Sequence, residues 1–154
     1  MRIFICLLLT LVFSSLPASA REPLVLRLTQ TITISDGVDA TVFCAHPATD
    51  EQSRITGLMF QKTLAEKAGM VFEFDEMQIV NMWMRNTILP LDMIFFDDAG
   101  KVVNIAENTK PFSLDIVSSE KPSKFVLEVN AGVAKKFGLN AGDHVTFGDN
   151  DCKL

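Results

Sequence analysis

The chain has 154 residues, with 14 lysines and arginines against 19 aspartates and glutamates, so its net charge is −5 at pH 7. A chain of this length forms a single domain that can close its own hydrophobic core. The acidic balance argues against nucleic acid and anionic lipid as partners, because proteins bind both through basic surfaces and the sequence has no basic stripe.

The first twenty residues have the pattern of a secretory signal peptide. Arg2 precedes an apolar run at residues 3–13, and an A-x-A cleavage site at residues 18–20 precedes Arg21. The apolar run is too short to span a bilayer, and no apolar segment of spanning length follows it. We therefore expect an exported protein, periplasmic or extracellular. Its mature form, residues 21–154, would be one domain of 134 residues (154 − 20) with a net charge of −6 (−5 without Arg2) and no membrane contact.

The first half of the mature chain predicts a hairpin and a short helix. Alternating apolar residues indicate strands at residues 24–34 and 38–45, and the Asp-Gly pair between them is typical of a hairpin turn. The helix is expected to begin at Thr49 or Asp50, both good N-caps, and to end at Gly57.

The second half predicts more short strands and one further helix. The helix lies at residues 131–138, with Asn130 as its N-cap and Gly138 at its end. The predicted strands lie at residues 69–74, 79–85, 91–96, 101–107, 124–130 and 144–148. Seven or eight short strands with two small helices predict a mainly β fold, either an antiparallel sandwich or a partly closed barrel.

Two cysteines, Cys44 and Cys152, remain after removal of the signal peptide. In an oxidising compartment such a pair can form one disulfide. Spacing alone does not fix the geometry, so two separate thiols remain the alternative.

Several segments, in this order, resemble a known family: GLMFQKTL, GMVFEF, MWMRNTILPLDMIFFDDAGKVV, VLEVNAG and LNAGDHV. They are similar to the family catalogued as domain of unknown function 192, and the resemblance runs from about residue 41 to residue 148. It implies a small, mostly β, often exported protein with a jelly-roll-like architecture. The family has no established biochemical function, so the resemblance implies an architecture and a location but no reaction.

The densest motif of the chain is WMRNTILPLD, residues 83–92. Asp92 lies inside an apolar strand whose two faces are both apolar, which indicates a buried carboxylate that must be paired or hydrogen-bonded. We expect it to bind the backbone of the turn at residues 85–87 or the side chain of Arg85. Trp83 is expected to pack as a buried anchor beneath this turn.

Glu128 repeats the pattern of an acidic residue inside an apolar strand. Asp92 and Glu128 could surround Arg85 as a structural triad in which the charges neutralise one another. Alternatively, Arg85 could grip a ligand carboxylate while Asn86 and Thr87 fix its orientation. In a third interpretation, the two carboxylates act as an acid and a base.

The sequence predicts no metal site and no cofactor. Six methionines lie between residues 59 and 93, and thioethers can bind Cu(I), but no histidine or cysteine accompanies them and methionine is also ordinary core filler. His46 and His144 are far apart and have no zinc-binding spacing. Phosphate loops and serine-nucleophile motifs are absent from the sequence.

The favoured function is binding of a small or extended polar ligand in a cleft beside the turn from Trp83 to Asp92. The first alternative is a hydrolase- or lyase-type enzyme that uses Asp92 and Glu128 as a carboxylate pair. The second is a structural or interaction module without a small-molecule site. The sequence makes no prediction of the oligomeric state.

Overall fold

The computed structural model describes residues 23–148 and residue 152; the predicted signal peptide lies outside the described residues. The fold is mostly β, with seven strands in one curled half-barrel sheet and two short helices, which confirms the predicted partly closed barrel. Between residues 23 and 148, neither helix is long and apolar enough to cross a membrane. The elements are β1 Gln30–Ser35, β2 Ala40–Ala48, α1 Glu51–Thr56, β3 Ala68–Met82, β4 Leu91–Phe96, β5 Val102–Thr109, β6 Val117–Asn130, α2 Val133–Lys136 and β7 His144–Phe147.

The sheet has the strand order β5-β4-β6-β3-β2-β1-β7. Its two edges approach each other where Lys101 forms an isolated bridge with His144, and where the Val145 N–H donates to the Gly100 carbonyl at 2.6 Å. A Cβ atom on Gly100 would lie only 2.3 Å from the carbonyl oxygen of Val145, and the φ of +82° also favours glycine. The curl therefore closes at a point where a side chain has no room.

Two hydrophobic cores lie on opposite faces of the sheet. The inner core contains Val102 from β5 and Val145 from β7, so it lies inside the curl, and residues of α2 pack into it. The outer core lies on the other face and is built around Met70, Phe72 and Met93, with partly buried leucines from the connecting loops packed against it. Side chains on opposite faces of the sheet therefore cannot take part in the same site.

Some predicted elements differ in extent from the observed ones. The two strands predicted at residues 69–74 and 79–85 are one long strand, β3, whose pairing with β6 shifts register between Glu73 and Gln78. Such an irregularity interrupts the alternation that the sequence displays. Of the strand predicted at residues 24–34, only the part from Gln30 onward belongs to the sheet.

Cys44 and Cys152 are joined by a disulfide, with Cα atoms 5.5 Å apart and a sequence separation of 108. The separation of the Cα atoms is in the range that this bond requires. The bond ties Cys152, beyond β7, back to the buried Cys44 of β2 and closes a loop that contains β3 to β7.

Candidate functional site

Trp83 is 44% exposed, so the prediction that it packs as a buried anchor is wrong. Trp83 lies just beyond the end of β3, where the Met84 side chain takes the place in the outer core and the Trp83 side chain stays at the surface. The Arg85 guanidinium lies 6.0 Å from the centre of the Trp83 ring, a cation–π distance. Trp83 therefore presents an aromatic surface to solvent.

The turn after Trp83 is held firmly by backbone hydrogen bonds. Asn86, with a φ of 56°, accepts a bond from the Phe60 N–H at 2.9 Å. Thr87 is buried; its N–H donates to the Met84 carbonyl at 3.0 Å and its carbonyl accepts from the Phe112 N–H at 3.1 Å. Both residues thus fix the loops around the outer core, and Thr87 also borders the recess described below.

Asp92 is fully buried and accepts two backbone hydrogen bonds, from the Asn108 N–H at 2.8 Å and from the Ala134 N–H at 2.9 Å. The prediction that Asp92 bonds to the turn at residues 85–87 or to Arg85 is therefore wrong. The Asp92 side chain points to the inner face of the sheet, where α2 begins. There it supplies the cap that α2 lacks locally, because the N-cap of α2 is Gly132. Asn130, the predicted cap, donates its side-chain amide elsewhere, to the Leu64 carbonyl at 2.9 Å.

The proposed pairing of Asp92 with Glu128 is also wrong, because the sheet separates them. Asp92 is opposite Val129, which belongs to the inner core, whereas Glu128 is opposite Met70 and Met93, which belong to the outer core. Side chains of directly paired residues lie on the same face of a sheet, so the two carboxyl groups point in opposite directions. Arg85 forms no ion pair within the described part of the chain, so the triad does not exist there either.

Glu128 has an unusual environment for a carboxyl group. Its side chain is only 4% exposed, and no described residue donates a hydrogen bond to it. Burial raises the pKa of Glu128 from 4.5 to about 8, because removal from water disfavours the charged form. At neutral pH the group is therefore mostly protonated.

Glu128 borders the floor of a cleft between α1, β3 and the turn that follows Trp83. We call its deep part, which reaches Glu128 and Thr87, the inner recess; it has a volume of about 20 Å³. The wider part, the outer cavity, has a volume of about 180 Å³. Both parts are lined by Arg54, Ile55, Phe72, Met82 and Trp83, so they adjoin each other.

The arginine of this cleft is Arg54, not Arg85. Its Nη1 atom donates to the carbonyl groups of Thr49 and Glu73, each at 3.0 Å, and its guanidinium lies 5.9 Å from the centre of the Phe74 ring. Helix α1 carries Arg54 and lies where the sequence predicts: Asp50 is its N-cap and Gly57 its C-cap.

The predicted ligand-binding residues thus divide into two groups. Trp83, Thr87 and Glu128 line the cleft, whereas Arg85, Asn86 and Asp92 do not. Sequence reasoning missed the walls that α1 and β3 contribute, Arg54, Ile55, Phe72, Phe74 and Met82. The spacing of Phe72 and Phe74 shows that they share a face, but only the pairing of β3 with β6 places Glu128 on that same face.

The structure does not test the prediction that the protein has no metal site and no cofactor. The described residues contain no group of three or more histidine, cysteine, aspartate or glutamate side chains that could hold an ion. Met70, Met84 and Met93 are buried in the outer core, and Met82 lines the cleft. The absence of a metal and of a cofactor stays a prediction.

Residues 31–147 match the model of the family DUF192, described as "Uncharacterized ACR", and the chain therefore belongs to this family. Two crystal structures are similar, each with a TM-score of 0.74. One is a protein of Sinorhizobium meliloti described as a "putative transcription regulator", with 37% identity over 77% of this chain and 92% of that one. The other is a protein of unknown function from Novosphingobium aromaticivorans, with 32% identity over 82% of this chain and 94% of that one. No curated protein matches the chain.

Proposed function

We propose that this DUF192-family protein is a binding module that takes a small polar ligand, or the end of an extended one, in the cleft beside Trp83. The observation that supports this best is the carboxyl group of Glu128, which borders the inner recess without a hydrogen bond from a described residue. No fully enclosed side-chain oxygen or nitrogen of the described residues lacks a hydrogen-bond partner, so the Glu128 oxygens open onto the inner recess. A ligand in the recess could therefore bond to Glu128 directly and supply the partner that the protein does not.

The walls of the cleft fit such a role. Small-molecule sites are mostly apolar and carry a few polar groups that fix the ligand's orientation. Here Phe72, Met82 and Trp83 supply apolar surface, while Thr87 and Glu128 supply polar groups at the deep end. A volume of about 180 Å³ is below the range of about 300–1,000 Å³ typical of drug-sized ligands, which favours a small ligand.

The two alternative functions, a carboxylate-pair enzyme and a purely structural module, have less support than ligand binding. The enzyme that pairs Asp92 with Glu128 is excluded by their positions on opposite faces of the sheet. A purely architectural role explains Asp92, which is fully buried with both oxygens bonded, but it leaves the carboxyl group of Glu128 unexplained. The similar Sinorhizobium meliloti protein is described as a "putative transcription regulator", but the net charge of −5 argues against nucleic-acid binding by this chain.

We further propose that the protein acts outside the cytoplasm, in the periplasm or the extracellular space. The signal-like first twenty residues and the disulfide between Cys44 and Cys152 support this, since disulfides persist mainly in oxidising compartments. N-terminal sequencing of protein from the exported fraction should find Arg21 first. Retention of Met1 in that material would contradict the cleavage.

The binding function is tested by screening the mature protein against sugars, cell-wall fragments, small acids and small amines. A binder should raise the melting temperature, because ligand at one hundred times its Kd stabilises by about 2.7 kcal/mol. It should also change the fluorescence of Trp83, which is the one tryptophan of the sequence and lines the cleft.

A variant that fills the cleft supplies the specificity control. Ile55 is 49% exposed and lines both parts of the cleft, so Ile55→Phe should block binding without disturbing a core. Val38, 89% exposed and away from the cleft, gives the matched control Val38→Phe. A hit whose thermal shift survives in Ile55→Phe, or a screen without any hit, would count against the proposed function.

A further inference from the structure

We propose that the ligand carries a primary ammonium group on a slender apolar stem, and that this ammonium group pairs with the Glu128 carboxylate in the inner recess. The inference rests on the proposed function, because it names the ligand class for the same cleft. Three features of the cleft carry it: the size of its two parts, the charges along its lining and the absence of a hydrogen-bond donor to Glu128.

The dimensions of the cleft set the shape of the ligand. A cavity needs about 10–15 Å³ to hold one water molecule, so the inner recess of about 20 Å³ admits one small polar group and no more. The outer cavity is larger and is walled by Phe72, Met82 and Trp83. A group the size of an ammonium therefore fits at the deep end, with an apolar stem behind it.

The charges along the lining favour a cation. Glu51 lines the outer cavity, and Asp75 and Glu76 line a third cavity that adjoins it through Arg54 and Phe74. Among the described residues of these linings Arg54 is the one cation, and its guanidinium already donates to two backbone carbonyl groups. The three carboxylates at the mouth outnumber it and attract positive ligands.

The walls favour a cation as well. The face of an aromatic ring attracts an ammonium group within about 6 Å, and tryptophan does so most strongly. The Trp83 ring already has such a contact with Arg85, whose guanidinium lies 6.0 Å from the ring centre. A ligand ammonium passing along the cleft would meet the Trp83 and Phe72 side chains before it reaches Glu128.

The surroundings of Glu128 determine what happens to its proton. Its sheet neighbours on β3 and β4 are Met70 and Met93, the turn contributes Thr87, and Arg54 from α1 is the other charged group on the recess. In the free protein the carboxyl group keeps its proton at neutral pH because burial disfavours the anion. When an ammonium ion enters, the carboxyl group ionises, its proton goes to the solvent, and the carboxylate and the ammonium form an ion pair. A neutral hydroxyl group would instead leave the proton on Glu128 and share a hydrogen bond with it.

Proton release therefore distinguishes an ammonium ligand from a neutral one of the same shape. The probes are pentylamine and pentan-1-ol, titrated calorimetrically into the mature, disulfide-bonded protein at neutral pH in two buffers with different heats of ionisation. Pentylamine should bind and release close to one proton per site. Its affinity should fall about tenfold for each pH unit below 8, because the proton on Glu128 competes with the ammonium group, while an alkylamine itself stays protonated over that range.

The matched variants are Glu128→Gln, which keeps the shape and removes the charge, and Glu107→Gln, which alters an exposed glutamate outside the cleft. Glu128→Gln should lower pentylamine affinity at least tenfold and abolish proton release, while Glu107→Gln should change neither. If pentan-1-ol binds as tightly as pentylamine without proton release, or if Glu128→Gln binds pentylamine normally, the ammonium inference is overturned although the cleft still binds ligands. If neither probe binds, the ammonium inference also fails, and the broader screen with Ile55→Phe decides separately whether the cleft binds anything.

Discussion

Replacing Glu128 with glutamine should make the free energy of unfolding less dependent on pH. The folded protein holds the pKa of Glu128 at about 8, against 4.5 for an ordinary glutamate, so over that interval the folded state keeps a proton that the unfolded state has lost. Stability from this group is therefore fully present below about pH 4.5 and is lost as the pH rises through 8. Glutamine does not titrate, so the variant lacks this loss.

The size of the effect follows from the pKa difference. A difference of about 3.5 units, at 1.36 kcal/mol per unit, gives about 5 kcal/mol between mildly acidic and mildly alkaline pH, or about 1.4 kcal/mol per pH unit. Such a change is comparable to the whole stability of many domains. The wild-type protein should therefore lose stability steeply relative to Glu128→Gln as the pH rises.

The assay is urea unfolding of wild type and Glu128→Gln, with the disulfide intact, at a series of pH values from about 5 to about 9. Taking the difference between the two proteins at each pH cancels the other titrating groups, which both share. Glu107→Gln, at an exposed position, should give a difference that is nearly flat. A flat difference for Glu128→Gln as well would refute the reasoning, because it would mean that Glu128 is already ionised in the folded protein at neutral pH.

Three further predictions concern the architecture around the cleft. Asp92→Asn should destabilise by about 1–3 kcal/mol in urea unfolding, because the amide can accept from one of the two backbone N–H groups but presents its own NH₂ to the other; an unchanged midpoint would contradict the capping role. Gly100→Ala should cost about 1–3 kcal/mol more than Gly142→Ala, since both have positive φ but only Gly100 faces a carbonyl oxygen at 2.3 Å; equal losses would show that the contact is not tight. Replacing Cys44 and Cys152 by serine should cost about 2–5 kcal/mol, because the disulfide closes a separation of 108 residues; unchanged thermal unfolding would exclude that contribution.

Features with local causes could be predicted from the sequence. Helix α1 begins after Asp50 and reaches its C-cap at Gly57 because the capping groups lie within a few residues of the backbone they satisfy. The hairpin of β1 and β2 and the hairpin of β4 and β5 follow from alternation and turn residues for the same reason. The mostly β class with two short helices depends on the sum of such local signals.

The partners of Asp92 could not be predicted, because they are set by tertiary structure. Its two hydrogen-bond donors are 16 and 42 residues away, one in β5 at Asn108 and one in α2 at Ala134. Parity within one strand shows which residues share a face, but the relation between two strands depends on their register. The register places Asp92 opposite Val129 of β6. Glu128 precedes Val129 on β6, so its side chain lies on the other face of the sheet.

The cleft itself could be predicted only in part. Trp83 and Glu128 stand out in the sequence as the one tryptophan and as an acidic residue inside a strand, and both line the cleft. Arg54 and Phe72 give no such signal, since a helix arginine and a strand phenylalanine are ordinary. They meet Glu128 because β3 pairs with β6 and α1 lies next to the outer face, which no local pattern reveals.

The most direct measurement is a pH titration of the Glu128 side-chain carboxyl carbon by carbon-13 NMR, assigned by comparison with Glu128→Gln. In the free protein we expect a midpoint near 8, and saturating pentylamine should lower it by at least about two pH units, because the ammonium group stabilises the anion. A midpoint near 4.5 that no ligand moves would contradict both the buried, unpaired carboxyl group and its role as the floor of a binding cleft.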